Sequence, residues 1–473
     1  MLNMRRFLPL LLTGFALTAN ADIDRTKKPE PGPAPEAAFP DYVTKELPNG
    51  LKVFVIEDDR KPTITMRLVI KAGDALDGDG KSGTAGFVAG LLNRGTATRD
   101  ALTFAKAVDS LGATLEASAG ADAISVSTSG LTKVTDPLLE LFADAIIHPV
   151  FAQEEFAKAQ KRTYSSLTAQ KKEPRALVGK LMNATLFGEH PYGKFTTPES
   201  VKSITRDDLT AFHSTWFAPN NASLAIVGDV KAAGILPKIE KALGGWPRKD
   251  VPMIKKPGVT PINGLTIHLL DLPGSVQSNV IVCRNAPSRA QATDLPEVNV
   301  MNSILGGGFS GRLFQNLREK HGYTYGSSSA FGYNREAGYF QATAETRNDV
   351  TAPAITEILG ELTRIMTEPV AEPELELQRQ YNIGNYLLSL ESAGRVASRV
   401  QDIDLYGLAP DFYKTYAKRM AAVTPATVTQ LAEKYLSTKD TAIVVVGDAK
   451  QVRESLEKLG KVVLYDTDLK VVK

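Results

Sequence analysis

The sequence contains very little cysteine, and it has no excess of charge of either sign. Cys283 is the one cysteine among 473 residues, so no disulfide can form within the chain. Removing Met1–Ala21, which contains Arg5 and Arg6 but no acid, brings the 55 basic and 53 acidic side chains to equal numbers. A chain without net positive charge is poorly suited to hold the phosphates of a nucleic acid. We therefore expect no intrachain disulfide and no nucleic-acid partner.

The apolar residues near the start of the chain have the pattern of an export signal. Arg5 and Arg6 precede the apolar run Phe7–Leu17 and the small residues Ala19–Ala21. This pattern predicts a signal peptide over residues 1–21, cleaved after its last residue, and an exported protein. Export without a disulfide favours a bacterial periplasm. Elsewhere no run approaches the roughly 20 apolar residues of a membrane helix, so we expect no membrane span.

The length of the chain favours two or more domains over a single core. Residues 22–40 are rich in proline and charge, which predicts an extended leader before the first domain. Hydrophobic spacing after the leader predicts a strand pair, helices, a hairpin and further helices. The predicted strands cover residues 51–56, 65–71, 113–118, 123–129 and 222–228, and the predicted helices cover 85–92, 101–111, 135–147 and 154–170.

Two short runs of the first half recur in the second half at nearly the same offset. Asn49–Lys52 is echoed by Asn263–Thr266, 214 residues later, and Ala225–Asp229 is echoed by Val444–Asp448, 219 residues later. Such a repeat indicates two copies of one α+β unit. We place the domains at residues 41–246 and 262–473, and a proline-marked linker at residues 247–261.

The densest chemical signal is Leu305–Tyr325. Three consecutive glycines, Gly306, Gly307 and Gly308, predict a sharp turn, and Ser310 is a plausible N-cap of the short amphipathic helix that follows. Arg318 near the end of that helix and Tyr325 seven residues later could direct a guanidinium and a phenol to one point. These donors suit a peptide carbonyl or the oxyanion it becomes during hydrolysis. The alternative is an ordinary surface arginine with a packing tyrosine.

The layout and several runs together resemble the pitrilysin (insulinase) family of zinc peptidases, which includes mitochondrial processing peptidase. The resemblance covers nearly all of the mature chain and rests on runs in both halves. These runs are Leu47–Leu51, Gly83–Thr96, His190–Gly193, Pro219–Ala222 with Val227–Asp229, and Leu305–Tyr325. It implies an α+β fold of two tandem homologous domains. Each is an antiparallel-rich sheet covered by helices, as in the processing-peptidase roll, and the pair forms half of a clam-shell chamber.

The zinc motif of the family is missing from this chain. Active members carry H-x-x-E-H on the helix that corresponds to Gly83–Thr96, with two histidine ligands and a glutamate base. The histidine positions correspond to Gly86 and Gly90, the glutamate position to Ala89, and the third ligand position to Ser166. The five histidines also lack ligand spacing. We therefore expect no zinc in this chain.

The resemblance implies that Arg318 and Tyr325 match a family pair that binds substrate and stabilises the transition state at a zinc site. A chain that lacks the zinc motif but keeps this pair is expected to be one subunit of a heteromeric peptidase. Its partner would be a homologue that carries H-x-x-E-H and zinc, and the substrate would be a peptide. Gly306, Gly307 and Gly308 could touch that peptide, although a structural hinge is the alternative. The other interpretations of the whole chain are a non-enzymatic peptide-binding or assembly scaffold, and a self-paired homodimer.

Overall fold

Two six-stranded sheets, one from each half of the chain, organise the computed structural model, which describes residues 38–472. The predicted signal peptide and most of the predicted leader lie outside the described residues. Between residues 38 and 472, no helix has the length and apolar character needed to cross a membrane.

The first sheet has the strand order β1-β2-β6-β3-β5-β4. Strands β2 and β6 run parallel to each other, and every other neighbouring pair is antiparallel. Its strands are β1 (Val43–Glu46), β2 (Lys52–Glu57), β3 (Thr63–Ile70), β4 (Thr114–Ala119), β5 (Ile124–Leu131) and β6 (Ala222–Gly228).

The helices of the first half lie mainly between β3 and β4 and between β5 and β6. They are α1 (Thr84–Leu91), α2 (Ala101–Ser110), α3 (Thr135–Ile147), α4 (Gln153–Gln170), α5 (Pro174–Phe187), α6 (Pro198–Ser203), α7 (Arg206–Trp216) and α8 (Ala232–Leu243). The bounds of α3 and β6 coincide with those predicted from the hydrophobic spacing.

The second sheet has the order β12-β7-β11-β8-β10-β9. Its strands are β7 (Leu265–Asp271), β8 (Gln277–Ala286), β9 (Thr324–Tyr333), β10 (Gly338–Arg347), β11 (Thr441–Gly447) and β12 (Val462–Tyr465). The helices of this half are α9 (Leu295–Gly306), α10 (Arg312–Phe314), α11 (Thr351–Thr367), α12 (Glu372–Leu390), α13 (Ala393–Tyr406), α14 (Tyr416–Ala421), α15 (Pro425–Tyr435) and α16 (Ala449–Glu457).

The internal repeat is visible in the topology of the sheets. The order β2-β6-β3-β5-β4 matches β7-β11-β8-β10-β9 strand for strand, and both orders contain one parallel pair at the same place. Gly50 and Gly264, the repeated turn glycines, have φ angles of +87° and +74°, which side chains rarely tolerate. The two halves are therefore copies of one α+β unit, and the predicted fold class is confirmed.

One helix of each half packs on the sheet of the other half. Helix α5 of the first half packs on β8 and β11 of the second sheet, and its apolar residues share a core with the strands Leu265–Asp271 and Thr441–Gly447. Helix α13 of the second half packs on β3 and β6 of the first sheet. This exchange buries apolar surface between the halves and fixes how they sit relative to each other.

Gln401 anchors the exchanged helix α13 to the first sheet. Its side chain is 1% exposed, and its amide donates to the carbonyl oxygens of Arg67 and Ser223, each at 2.9 Å. The Arg67 guanidinium donates to the Gln401 side-chain oxygen at 2.7 Å. One turn further along, Asp404 forms ion pairs with Lys52 and with a second lysine of the first half. Polar groups buried between the halves are thus paired, as burial requires.

Candidate functional site

The helix predicted to carry the degenerate zinc motif borders an open cleft. Gly86 and Gly90 lie on the face of α1 that is turned toward α4, and the cleft between the helices has a volume of about 290 Å³. A Cβ atom at either glycine would meet no other atom within 4 Å. Ala89 is 2% exposed and belongs to the core of the first half. The two glycines therefore leave space in which larger side chains would fit.

The opposite wall of this cleft comes from α4, but from a different residue than the sequence comparison indicated. Thr163 and Arg162 line the cleft beside Ala159. Ser166 lies on the next turn of α4, where its hydroxyl accepts a hydrogen bond from the Gln170 amide at 3.4 Å, and it is not among the lining residues. The cleft therefore meets α4 at Arg162 and Thr163, one turn before Ser166.

The side chains around this cleft do not suit zinc. Zinc sites in proteins use imidazole, thiolate and carboxylate ligands in sets of three or four. Asp74 is the one such side chain among the residues that line the cleft. Across residues 38–472, no three His, Cys, Asp or Glu side chains are grouped so that they could hold a metal. The residues that line this cleft thus offer no set of zinc ligands.

Two aspartates stand at the N-terminal end of α1. The Asp77 carboxylate accepts hydrogen bonds from the backbone N–H groups of Gly83 and Ala85 at 2.7 and 2.8 Å, which satisfies donors that the helix leaves free. Burial raises the pKa of Asp77 to about 7, although these N–H groups act in the opposite direction. Burial also raises the pKa of Asp74 to about 6. This end of the cleft therefore titrates in the weakly acidic range.

The glycine-rich loop of the second half is shaped by close packing. A Cβ at Gly306 would lie 2.6 Å from the Ser329 nitrogen, and one at Gly311 would lie 2.9 Å from the Gly306 Cα. Gly307 and Gly311 have φ angles of −78° and −69°, so neither position needs a backbone angle that only glycine adopts readily. At Gly308 a Cβ would meet no atom within 4 Å. The loop needs glycine mainly to let α9 approach β9.

The short helix after the loop begins at Arg312, one residue later than an N-cap at Ser310 would place it. Gly311 precedes the first helical residue, and the Ser310 hydroxyl accepts a hydrogen bond from the Gln378 amide at 3.0 Å, so Ser310 is not the N-cap. Helix α10 continues into a π-helical turn, Gln315–Lys320. π-helical turns are rare and occur frequently at functional sites. Arg318 is part of this turn.

The side chain of Arg318 is oriented by an aromatic pair. Its guanidinium carbon lies 4.9 Å from the centre of the Phe314 ring, and that ring packs edge-on against Phe309 at 5.0 Å. Phe309 itself is 77% exposed at the tip of the glycine loop. The one carboxylate near Arg318 within residues 38–472 is Glu319, at 3.6 Å. The guanidinium is therefore positioned on a ring, with its N–H groups available to another molecule.

A β-bulge turns Tyr325 toward solvent. In the pairing of β9 with β10, Thr324 and Ser327 are opposite Thr346 and Ala344, so two residues on β9 face Glu345 alone. The Thr324 hydroxyl donates to the Gly326 carbonyl at 2.8 Å and stabilises the irregular strand. Tyr325 is 87% exposed. Bulges commonly redirect a side chain beside a functional site.

Polar side chains on the buried side of the π-helical turn hold it against α11. The Asn316 amide donates to Glu357 at 2.9 Å and to Glu361 at 2.6 Å, and Glu361 is 1% exposed. Arg364 donates to the same Glu361 carboxylate at 2.9 Å. This network fixes the segment that carries Arg318, and no pattern of residues along the sequence indicates it.

The structure does not join the two candidate sites within one chain. Neither Arg318 nor Tyr325 lines the cleft between α1 and α4. Sequence reasoning also missed the residues that set up each site. For the cleft these are Thr163, Arg162 and Asp74, and for the pair they are Phe309, Phe314 and Glu361. The spacing of Phe314 and Arg318, four residues apart on a helix, was a signal that could have indicated their contact.

The fold and the two candidate sites define a class: two-domain proteins built like zinc peptidases. Sequence profiles agree with this class, since the profile described as insulinase (peptidase family M16) matches residues 52–198 and that of the peptidase M16 inactive domain matches residues 203–382. The chain belongs to this insulinase family.

Individual relatives and solved structures extend the likeness over most of the chain. An uncharacterized zinc protease of Mycobacterium leprae is 25% identical over 405 residues, covering 84% of this chain and 90% of that protein. A peptidase M16 inactive domain from Pseudomonas fluorescens has a TM-score of 0.81 and 25% identity, covering 86% of this chain and 98% of that one. A periplasmic protease of Escherichia coli shares the fold, with a TM-score of 0.71 and 16% identity, covering 89% of this chain and 49% of that one.

Proposed function

We propose that this protein is the non-zinc subunit of a heteromeric peptidase of the insulinase family. One observation carries the proposal: the residues that line the cleft between α1 and α4 do not form a set of metal ligands, whereas Arg318 stacks on an aromatic ring and Tyr325 is exposed elsewhere on the same chain. The chain has no zinc of its own in this proposal. The catalytic zinc belongs to a homologous partner that carries H-x-x-E-H.

Arg318 and Tyr325 act on a peptide held at the partner's site. A guanidinium and a phenol both donate hydrogen bonds without accepting a proton from the substrate at neutral pH. Such donors bind a carbonyl oxygen and interact more strongly as negative charge develops on it. Two features support this role: the stacking of Arg318 on Phe314 and the outward projection of Tyr325 at the bulge. The glycine residues Gly306–Gly308 serve mainly to place this segment.

A mixed complex with the H-x-x-E-H homologue from the same cell tests the role of the pair. Tyr325→Phe removes only the hydroxyl, and Arg318→Ala removes the guanidinium. Loss of one oxyanion donor typically costs about 2.7 to 4 kcal/mol, so each variant should lower the peptide cleavage rate roughly a hundred- to a thousandfold. Assembly of the complex, measured by size-exclusion chromatography, should not change.

Matched controls come from exposed residues on other surfaces. Tyr381→Phe on α12 and Arg453→Ala on α16 remove the same groups from exposed positions, and both should leave the rate unaltered. If Tyr325→Phe and Arg318→Ala assemble normally and cleave at the unaltered rate, the pair has no part in catalysis. A non-enzymatic scaffold of the same fold would then replace this proposal.

The proposed location is the periplasm. The export signal predicted over residues 1–21 supports it, and so does the fold shared with a periplasmic protease of E. coli. Fractionation of cells, with mass spectrometry of the mature N-terminus, tests it. A cytoplasmic product that still contains residues 1–21 would contradict the assignment.

A further inference from the structure

A second cleft lies in the second half, among helices that include the counterparts of α1 and α4 in the internal repeat. Helix α9 lies beside edge strand β9 as α1 lies beside β4, and α12 begins 219 residues after α4, the same offset that separates β11 from β6. The space bordered by α9, α12, α13 and α14 has a volume of about 470 Å³. Its chemistry is different, because its walls carry arginines and asparagines.

The polar groups of this cleft are mostly hydrogen-bond donors of positive or neutral charge. Arg395 and Arg399 of α13 line it together with Asn299, Asn382 and Asn385, and no carboxylate is among the lining residues. Among residues 38–472, neither arginine has a carboxylate oxygen within 4.0 Å, and one terminal nitrogen of Arg399 is buried without a hydrogen-bond partner. No carboxylate that lines the cleft therefore balances the charge of these two arginines.

The guanidinium group of Arg399 is oriented by stacking on tyrosine rings. Its guanidinium carbon lies 4.7 Å from the centre of the Tyr386 ring and 5.8 Å from that of Tyr413. Asp402, on the same helix, is near enough for its charge to interact with Arg399, but it does not line the cleft. Stacking of this kind leaves the edges of a guanidinium free to make the paired hydrogen bonds that carboxylates and phosphates accept.

We propose that this cleft binds an oxyanion, either the carboxylate of a peptide or a phosphate. Arg399 and Arg395 of α13 supply the charge, and Asn385 supplies a neutral donor from α12. The proposal does not depend on a catalytic partner, since all of these residues belong to one chain.

Calorimetric titration of the purified chain tests the proposal with three probes. They are acetyl-Ala-Ala-Ala with a free C-terminal carboxylate, the same peptide as its C-terminal amide, and inorganic phosphate. We expect the carboxylate peptide or phosphate to bind saturably, more weakly at higher salt, and the amide not to bind. Arg395→Gln and Arg399→Gln should each weaken binding by roughly tenfold or more.

The control variant is Arg453→Gln, which makes the same charge change on exposed α16 and should bind as the unaltered chain does. If Arg399→Gln does not fold, Arg395→Gln decides alone, because its side chain is exposed. Phosphate binding that both substitutions weaken supports the site and assigns it to phosphate. Equal binding of the amide peptide, no binding of either anion, or an unchanged affinity in Arg395→Gln would overturn the proposal.

Discussion

Introducing ligands into the cleft between α1 and α4 should create a zinc site. The variant Gly86→His, Gly90→His, Thr163→Glu places two histidines one helical turn apart and a carboxylate on the opposite wall. Open space above both glycines means that the new side chains need not displace neighbours. Replacing glycine within a helix also favours the helix by several tenths of a kcal/mol per site. We therefore expect the variant to fold at least as well as the parent without metal.

Zinc should stabilise this variant and leave the parent unchanged. A ligand at a hundred times its Kd stabilises the folded state by about 2.7 kcal/mol. For a cooperative unit of this length, the unfolding entropy converts that into a rise in Tm of about 3 °C. Thermal unfolding with zinc and with a chelator measures it, and metal analysis should find one zinc per variant chain.

The position of the carboxylate makes the test more specific. The same two histidines with Ser166→Glu should bind zinc more weakly, because Ser166 does not line the cleft. If Ser166→Glu binds more tightly than Thr163→Glu, our assignment of the opposite wall is wrong. If neither variant responds to zinc, this cleft is not a zinc site that has lost its ligands.

Three further changes probe the packing and the titration of the fold. Gln401→Leu should lower the free energy of unfolding, measured in urea, by about 1 to 3 kcal/mol, because it leaves buried carbonyl groups unpaired. An unchanged urea midpoint would show that Gln401 does not anchor α13 to the first sheet. Gly311→Ala should cost about 1 to 3 kcal/mol through overpacking, whereas Gly308→Ala should be tolerated, and equal stability of the two would refute the close-packing explanation. The raised pKa of Asp74 means that its contribution to stability is present below about pH 4 and lost as pH rises through about 6. Asp74→Asn should flatten this decline in denaturant midpoints, unlike Asp79→Asn in the same loop, and an unchanged decline would contradict it.

The sequence alone determined the architecture because its repeats carry strong local constraints. Gly50 and Gly264 mark turns that need positive φ, and the largely apolar strands around Ile226 and Val445 favour central positions in their sheets. The presence of glycine at positions 86 and 90, and of Arg318 and Tyr325, is likewise a matter of residue identity. These features can be read without knowing which residues touch.

Only the tertiary structure decided which residues come together. The exchange of α5 and α13 between the halves has no local signature, since an amphipathic helix packs equally well on either sheet. The bulge that exposes Tyr325 depends on its pairing with β10, and the contact of Phe309 with Phe314 depends on the path of the glycine-rich loop. Thr163 reaches the cleft through the packing of two helices that are far apart in sequence. Long-range packing sets these contacts, and a pattern of residue types along one segment does not encode it.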